Sequence, residues 1–519
     1  MTQLSVQTIK NNLVYPISTE ALGIHQTVLP GLKSAVVAGV TYAAVPHTLD
    51  HAVVLNNLGY KAPSPIRLTY DWPGKFTPYA HQLETADFLT VNKRAFCLNG
   101  MGTGKTMSVL WAADYLMKIG KVKRALILSP LSTLQQVWAR EIFANLPNRK
   151  YAVLHGSRQK RLDLLKQPAD FYIINHDGVE VITEELLKRL DIDMIVIDEV
   201  AVLRNQKTKR WKIVKEMVNR DVWCWGLTGT PTPNCPTDAY AQMKLIRPEN
   251  YNGHFTKFKM TTMMQLGQFK WIPRRGAEEI VNGILKPALR YALEDCIELP
   301  PTIYHEREAE LSAEQKVHYK ALERQAVTEI RGKQITAVNS AVLISKLTQV
   351  ACGVTYAGEE GKAEIDFGPR LAVLKEAIEE SESKVIVFVP FTGVLDALHR
   401  ELSKEWSCAV IDGGTSSSKR NQIFDAFRST PNPRILIANP QTMAHGLTLT
   451  EASMIIWYAP IYSNEYYEQA NARIVRPGQT MKTNIVHIAA TSVERRVYSV
   501  LREKGALQGV ILDLARDAK

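Results

Sequence analysis

A chain of 519 residues is too long for a single hydrophobic core, and this length predicts two to four domains. Hydrophobic residues make up 45% of the chain and charged residues 22%, which excludes a fibrous or largely disordered protein. The net charge of +11 favours a polyanionic partner such as nucleic acid, and six scattered cysteines without a CxxC pair argue against a disulfide framework or a zinc site.

The N-terminal residues carry no recognisable targeting or membrane signal. The first 16 residues lack the apolar core of a signal peptide, and no apolar run in the chain is long enough to span a bilayer. We therefore expect an intracellular protein. Residues 40–70 are typical of a small α/β element that precedes a proline-rich hinge.

Residues 95–107, AFCLNGMGTGKTM, have the order of a strand, a glycine-rich loop and a helix that a P-loop requires. The glycines let backbone N–H groups approach phosphate oxygens, and the helix N-terminus adds a partial positive charge. We predict that Lys105 reaches the β- and γ-phosphates and that the Thr106 hydroxyl ligates magnesium. The candidate nucleotide-binding residues of this loop are Gly100, Gly102, Thr103, Gly104, Lys105 and Thr106.

One position departs from the full GxxxxGK[ST] pattern, because Asn99 stands where the first glycine is expected. The alternative interpretation is a flexible glycine loop without a ligand, and the Lys-Thr pair directly after the glycines argues against it. A P-loop alone does not distinguish kinases, GTPases and motor ATPases.

Residues 190–203, LDIDMIVIDEVAVL, predict a buried strand that ends in two carboxylates, Asp198 and Glu199. A parallel strand presents its carboxyl end to the ligand crevice. Asp198 could hold magnesium through water, and Glu199 could polarise the water that attacks the γ-phosphate. An acidic strand end without a role is the alternative, which the neighbouring P-loop disfavours.

Residues 224–234, CWGLTGTPTPN, predict a third apolar strand that runs into a turn of small residues. Thr228 and Thr230 supply hydroxyl groups there, so this loop could sense the γ-phosphate and relay its presence to another surface. The alternative is a glycine-proline turn without a role.

Arg473 and Arg476 lie three positions apart in YYEQANARIVRPGQT, residues 466–480. On a helix this spacing would place both guanidinium groups on one face. They could form a solvated basic surface, or they could point at a phosphate held by another part of the chain.

With these motifs in this order, the chain resembles superfamily-two helicases and translocases of the Swi/Snf-type branch, from about residue 76 to 505. The segments that carry the resemblance are FTPYAHQLETADFL as the Q motif, LILSPLSTLQQVWARE as motif Ia, LTGTPTPNCPTDAYAQMKLIRPE as motif III, SKVIVFVPFTGVLDALHREL as motif IV and QANARIVRPGQT as motif VI. Ala201 departs from the family, which usually has histidine there, and this departure leaves open how motif II couples to motif III.

The resemblance implies an α/β fold with two RecA-like parallel-sheet lobes and a small N-terminal α/β element. It implies that Gln82 reads the adenine edge and that Gly446 and Gln469 also bind the nucleotide. Arg473 and Arg476 are similar to arginine fingers directed at the γ-phosphate. The implied cofactors are ATP and Mg²⁺, with Thr106 and Asp198 at the metal, and the implied catalytic residues are Lys105, Asp198, Glu199, Arg473 and Arg476.

We expect five regions along the chain. They are an N-terminal accessory element (1–70), an ATP-binding lobe 1 (71–285), a helical connector (286–364), a helicase C-terminal lobe 2 (365–505) and a C-terminal tail (506–519). The accessory element resembles the substrate-recognition segment of annealing-type helicases, and a cap packed on lobe 1 is an equal alternative.

The resemblance further implies a monomeric ATPase that moves on or remodels duplex, forked or branched DNA. Its candidate DNA contacts are Pro130, His155, Gly156, Gly413, Thr415 and His445. The alternatives are a translocase that displaces bound proteins without strand separation, a nucleotide-gated DNA-binding protein with a weak ATPase, and an RNA helicase. We expect no membrane partner, and a location in the cytoplasm of a bacterial or phage-infected cell, or in the nucleus of a eukaryote.

Overall fold

The computed structural model describes residues 6–233, 235–266, 271–332, 337–356, 362–443 and 448–503. The chain divides into two units, of which the first comprises Met1–Thr232, Pro236–Met263 and Pro273–Cys296, and the second comprises Pro233–Cys235, Met264–Ile272 and Ile297–Lys519. Each unit contains one large parallel sheet. No helix in these described ranges has the length and apolarity needed to cross a membrane.

The first unit begins with a four-stranded antiparallel sheet of order β1-β2-β4-β3. Its strands and the helices beside them are β1 Gln7–Ile9, β2 Asn12–Pro16, α1 Thr19–Val28, β3 Lys33–Val37, β4 Val40–Pro46, α2 Leu49–Asn57 and α3 Ile66–Thr69. Alternation along β2 buries Leu13 and Tyr15, which belong to a small core that also includes Leu55 of α2. This is the small α/β element that the sequence predicts.

The rest of the first unit is built on a seven-stranded parallel sheet of order β13-β5-β10-β9-β6-β8-β7, while β11 and β12 form a separate pair. We call this seven-stranded sheet and its helices lobe 1. The strands are β5 Arg94–Cys97, β6 Ala125–Ser129, β7 Tyr151–Val153, β8 Phe171–Asn175, β9 Met194–Asp198, β10 Trp223–Leu227, β11 Met263–Gln265, β12 Trp271–Pro273 and β13 Ala288–Leu289. The helices are α4 Ala80–Val91, α5 Lys105–Lys118, α6 Arg140–Asn145, α7 Arg158–Lys166, α8 Thr183–Lys188, α9 Lys209–Val218, α10 Asp238–Ile246, α11 Phe255–Thr262, α12 Ala277–Ile284 and α13 Leu293–Cys296.

Both faces of the lobe 1 sheet are covered, which explains why its strands are almost continuously apolar. Along β9, Ile195 and Ile197 join one hydrophobic core, whereas Met194 and Val196 join the core on the opposite face. The carboxyl ends of the strands are therefore the places where polar side chains can leave this interior.

The second unit contains a six-stranded parallel sheet of order β14-β21-β20-β17-β19-β18, while β15 and β16 form a separate antiparallel pair. We call this six-stranded sheet and its helices lobe 2. The strands are β14 Thr302–Glu308, β15 Val354–Tyr356, β16 Lys362–Glu364, β17 Lys384–Phe388, β18 Cys408–Ile411, β19 Ile435–Ala438, β20 Ala452–Trp457 and β21 Thr483–Ala489. The helices are α14 Ala313–Gly332, α15 Ala337–Ala351, α16 Gly368–Glu379, α17 Thr392–Leu402, α18 Ser417–Ser429, α19 Pro440–Met443, α20 Asn464–Asn471 and α21 Ser492–Arg502.

The predicted fold class is confirmed by these two sheets. Each lobe has parallel strands with helices against both faces, and the N-terminal element precedes them as expected. The exact limits of the five predicted regions stay predictions.

Candidate functional site

Three loops that the sequence singles out begin at the same edge of the lobe 1 sheet. In the register of the sheet, Leu227 of β10 lies beside Cys97 of β5 on one side and beside Asp198 of β9 on the other. All three strands are parallel, so the chain leaves them in the same direction. The glycine-rich loop, Glu199 and the Thr228–Thr230 turn therefore start from adjacent strand ends, where ligands bind in open α/β sheets.

The glycine-rich loop between β5 and α5 is a tight turn that is held by hydrogen bonds among its own residues. Gly102 and Gly104 adopt left-handed backbone conformations, with φ angles of 80° and 78°. The Thr103 hydroxyl donates a hydrogen bond to the carbonyl oxygen of Gly100 at 2.8 Å. Because α5 begins at Lys105, the positive end of its helix dipole lies at this loop, as in anion-binding helix starts.

The ammonium group of Lys105 donates to two carbonyl oxygens of its own loop, at 2.7 Å for Asn99 and 3.1 Å for Gly100. Both acceptors are neutral, so these bonds orient the positive charge without cancelling it. A phosphate oxygen would be a stronger, charged acceptor for the same ammonium group. Thr106 follows in the first turn of α5.

The first turn of α4 lies against this loop. The Gln82 side-chain amide donates to the carbonyl oxygen of Thr103 at 3.3 Å, and its oxygen accepts the N–H of Tyr79 at 3.0 Å. Gln82 packs so closely on Gly104 that a side chain at position 104 would overlap its amide. The structure therefore brings Gln82 together with the glycine-rich loop.

Asp198 ends β9 at the sheet edge and is half-buried. The indole N–H of Trp138 donates to its Oδ2 at 2.9 Å. Burial raises the pKa of the Asp198 carboxyl above its ordinary value, and the Trp138 hydrogen bond and the Lys105 charge oppose that rise. A cation beside this carboxylate would favour its charged form.

Glu199 is joined directly to the loop that follows β10. The Thr228 hydroxyl donates to Glu199 Oε1 at 2.5 Å, and the N–H of Thr230 donates to the Thr228 oxygen at 3.1 Å. Ala201, where the sequence left the coupling between motifs II and III open, is buried in the 3₁₀ turn Val200–Leu203. The Thr228–Glu199 hydrogen bond joins the two motifs without a histidine at position 201.

In lobe 2, the shared helix face that the spacing of Arg473 and Arg476 would give on a helix does not form, because α20 ends at Asn471. The helix tightens at its end, where the N–H of Arg473 bonds to the carbonyl oxygen of Ala470 instead of continuing the i→i−4 pattern. Both arginines lie in the turn that follows the helix, before the Pro-Gly-Gln of residues 477–479.

Arg473 is buried in lobe 2, whereas Arg476 is half-buried. Arg473 is 2% exposed and its Nε donates to the carbonyl oxygen of Gln469 at 2.7 Å, which excludes a solvated helix face. Arg476 donates to the Thr448 hydroxyl at 3.0 Å. Burial lowers the pKa of Arg476 to about 10, so this residue stays charged at neutral pH. Burial, with the nearby charge of Arg476, lowers the pKa of Arg473 well below its usual value.

The predicted DNA contacts of lobe 1 follow strand ends at the edge that carries the glycine-rich loop. Pro130 comes after β6 and is buried, with its carbonyl oxygen accepting from the Thr133 hydroxyl at 2.9 Å. His155 and Gly156 come after β7 and are exposed. The exposure of His155 and Gly156 is compatible with their predicted contact with DNA. Pro130, besides its predicted contact with DNA, forms a turn.

In lobe 2, the predicted contacts Gly413 and Thr415 lie in the loop after β18. Gly413 is exposed, and the Thr415 hydroxyl donates to Asp412 at 2.6 Å, which lowers the pKa of that carboxyl. His445 and Gly446 lie outside the described residues, so their predicted roles in binding DNA and nucleotide stay predictions.

The contacts that were not predicted from the sequence include one at Asp198 and one at Arg476. Trp138, which holds Asp198, lies within the motif Ia segment and could have been singled out as a buried indole that needs an acceptor. Thr448, which holds Arg476, carries no such signal.

Two family models match this chain. The family model of the SNF2-related domain matches residues 81–353, which is more than half of the chain, and the helicase conserved C-terminal domain matches residues 369–478. Protein p41 of Acyrthosiphon pisum secondary endosymbiont phage 1 is 24% identical over 461 residues, which cover 84% of this chain and 98% of that protein.

An uncharacterized ATP-dependent helicase of Mycoplasma genitalium is 25% identical over 415 residues, which cover 78% of this chain and 39% of that protein. The chain thus spans about two fifths of that relative's length. Among solved structures, the Sulfolobus solfataricus SWI2/SNF2 ATPase core in complex with dsDNA has 22% identity and a TM-score of 0.41, covering 84% of this chain and 93% of that chain. On the family-model matches, the chain belongs to the SNF2-related domain family and is a superfamily-two, helicase-type ATPase of the Swi/Snf branch.

Proposed function

We propose that this protein is a DNA-dependent ATPase that couples ATP hydrolysis to movement on, or remodelling of, duplex or branched DNA. The observation that carries this proposal is the meeting of three loops at one edge of lobe 1, with Glu199 bonded directly to Thr228. Family membership supports the use of ATP, and the Mycoplasma relative is named an ATP-dependent helicase.

In this proposal, the glycine-rich loop binds the phosphates of ATP. Lys105 exchanges its two carbonyl acceptors for oxygens of the β- and γ-phosphates, which compensate its charge. Gln82 contributes to recognition of the adenine while it supports Gly104. Glu199 orients the attacking water. The hydroxyl of Thr228, which donates to Glu199, responds when Glu199 binds that water.

The residues present suit magnesium. It is usually bound through one or two carboxylates together with substrate phosphates and waters, instead of a cage of protein ligands. Asp198 offers a half-buried carboxylate beside Lys105, and no group of three or more acidic, histidine or cysteine side chains among the described residues could hold a metal ion. Thr106 and Asp198 would hold the ion, which when bound would neutralise charge on the phosphates.

Arg473, Arg476 and Gln469 would complete the site from lobe 2. Arg476 keeps its charge at neutral pH, and Arg473 is oriented by the carbonyl oxygen of Gln469. Arginines of this kind stabilise the charge that develops on the γ-phosphate. Their dependence on the second lobe would tie hydrolysis to the relative motion of the lobes.

DNA is the partner that the net charge of +11 favours, since phosphates dominate the affinity of such complexes. The proposed contacts among the described residues are Pro130, His155, Gly156, Gly413 and Thr415. Residues 1–70 would act as a cap or as a DNA-recognition element, and the cap is supported by the hydrogen bond from Ser64 N–H to Asp87 of α4 at 2.6 Å. A monomer in the cytoplasm of a bacterial or phage-infected cell is consistent with the phage relative.

The proposal is tested by ATP hydrolysis measured without nucleic acid and with single-stranded DNA, duplex DNA, forked DNA or RNA. We expect strong stimulation by duplex or forked DNA, and loss of the stimulated rate in Lys105→Ala and Arg476→Ala. Hydrolysis stimulated by RNA alone would identify an RNA helicase. ATP binding without hydrolysis on any nucleic acid would contradict the motor and leave a nucleotide-gated binding protein.

A further inference from the structure

Asn99, the residue that departs from the P-loop pattern, is 1% exposed and uses both ends of its side-chain amide. Its Nδ2 donates to the Thr85 hydroxyl of α4 at 2.9 Å. Its Oδ1 accepts the backbone N–H of Tyr291 at 3.1 Å. Asn99 therefore connects the start of the glycine-rich loop to α4 and to the segment that follows β13.

These bonds belong to a closed ring around the loop. The Thr85 hydroxyl donates to the carbonyl oxygen of His81 at 2.6 Å, and His81 Nε2 donates to the carbonyl oxygen of Thr103 at 2.8 Å. The Thr103 hydroxyl donates to the carbonyl oxygen of Gly100, the residue after Asn99, and this bond closes the ring. Helix α4 thereby holds both the beginning and the end of the glycine-rich loop.

The segment after β13 reinforces the same end of the loop. The N–H of Gly100 donates to the carbonyl oxygen of Tyr291 at 2.7 Å, so Gly100 and Asn99 make reciprocal bonds with one residue. Five residues later, at Cys296, the first unit ends. The loop is thus tied to the chain segment that leaves lobe 1.

The chemistry of this position requires an amide. One end must donate to Thr85 and the other must accept from Tyr291, and a carboxylate cannot donate while glycine can do neither. Asn99 and Thr85 are buried, at 1% and 0% exposed, and Tyr291 is half-buried, so a missing Asn99–Thr85 bond leaves a polar group without water.

We propose that Asn99 is a positioning residue for ATP, which holds the glycine-rich loop in its phosphate-binding form through Thr85 and Tyr291. The inference rests on the proposed function in one respect, that this loop binds a nucleotide. It predicts that glycine, the residue of the usual pattern, is harmful at position 99 in this chain.

The test is equilibrium binding of a fluorescent ATP analogue with magnesium, without DNA, together with KM and kcat for ATP. Asn99→Gly and Thr85→Val should each weaken binding roughly tenfold to a hundredfold, the effect of leaving a buried polar group unpaired. The double variant should be weakened by less than the two single effects combined, because both changes remove the Asn99–Thr85 bond. Thr85→Ser keeps the hydroxyl and should restore binding close to wild type.

Thr90→Val is the matched control. Thr90 is on the same helix and is equally buried, but its hydroxyl bonds to Ser64 at 2.8 Å and not to the loop. It should bind ATP as the wild type does, and thermal melting shows at which temperature every variant is folded.

Binding by Asn99→Gly and Thr85→Val within twofold of wild type would overturn the inference. So would equal weakening by Thr90→Val, which would show a general loss of stability. If the wild type itself binds no nucleotide, the proposed function fails first, and this result is distinct from both others.

Discussion

Lobe 1 and lobe 2 each orient a cation with backbone carbonyl groups, Lys105 in the first and Arg370 in the second. Lys105 donates to the carbonyl oxygens of Asn99 and Gly100, which are neutral. Arg370 is 0% exposed and donates to the carbonyl oxygen of Ile488 at 2.8 Å, but it also pairs with Glu494 at 2.8 Å. The charge of one cation remains available to a ligand, whereas that of the other is compensated inside the fold.

The pKa of Arg370 shows the same difference. Burial is the largest single influence and acts to lower it, but the charge and hydrogen bond of Glu494, together with Cys352 and Tyr458, raise the pKa above its usual value. Glu494 is further held by the N–H groups of Ala490 and Thr491, at 2.9 and 3.1 Å. A buried cation with a charged partner therefore fastens lobe 2 together, while a cation with neutral partners marks the site of lobe 1.

The largest loss of activity is expected for Arg476→Ala. This variant tests whether lobe 2, like lobe 1, contributes a positive charge that can bind the phosphate of ATP. An arginine that stabilises a transferring phosphoryl group contributes about 10³–10⁵ in turnover, so kcat should fall by that factor. Steady-state ATPase assays with saturating duplex DNA measure it. Arg495→Ala, whose partner Glu308 is exposed, is the control and should keep full activity. A tenfold loss or less would place Arg476 among the structural residues.

Arg370→Leu should instead damage stability. It leaves the buried Glu494 without its cationic partner, which costs about 3–5 kcal/mol. Hydrogen exchange should accelerate in α16, β20 and α21 and remain unchanged in lobe 1. The double variant Arg370→Leu with Glu494→Leu should recover part of the loss.

Arg400→Leu serves as the control for this change. Arg400 pairs with Glu364 at the surface, where both side chains are about half exposed, so exchange should remain as in the wild type. Unaltered exchange in Arg370→Leu as well would refute the distinction between the two lobes.

The sequence predicts the parts of the site that are local in the chain. The glycine spacing, the Lys-Thr pair and the strand that ends at Asp198 are recognisable because loop and strand geometry depend on adjacent residues. The parallel sheet then brings their ends together, because strands that run in one direction share one carboxyl edge.

Contacts between distant segments could not be predicted in this way. Asn99 appears in the sequence as a defect in a pattern, yet its partners lie 14 and 192 residues away. The link from Trp138 to Asp198 spans 60 residues. The spacing of the two arginines also does not show that the helix ends at Asn471, because it is compatible with a helix or with the turn that forms. Such features depend on packing, which periodicity does not show.

Lys105→Ala should lower turnover by about 10²–10³, the usual loss when one preorganised donor to a developing charge is removed. Its present partners are carbonyl groups of its own loop, so the melting temperature without ligand should change little. Lys118→Ala, at the other end of α5, should leave the ATPase rate unchanged. A large fall in melting temperature for Lys105→Ala would show that the lysine has a structural role like that of Arg370.

The smallest effect, and the most specific, is expected for Asp198→Asn in the absence of ATP and magnesium. Burial raises the pKa of this carboxyl, so the folded protein disfavours its charged form relative to the unfolded chain. At neutral pH the charge therefore lowers stability, and the asparagine variant should melt at a higher temperature. The gain should shrink as the pH falls through the raised pKa, because the wild-type carboxyl is then protonated.

Glu494→Gln should instead lower the melting temperature at neutral pH, since it removes the charged partner of Arg370. Melting curves of both variants from neutral to acidic pH compare the two lobes in one experiment.

Addition of Mg²⁺ and ATP should then stabilise the wild type and not Asp198→Asn, because ligand binding favours the folded state only where the site is complete. A lower melting temperature of ligand-free Asp198→Asn at neutral pH would show that Asp198, like Glu494, is a structural carboxylate, and the proposed metal site would lose its main support.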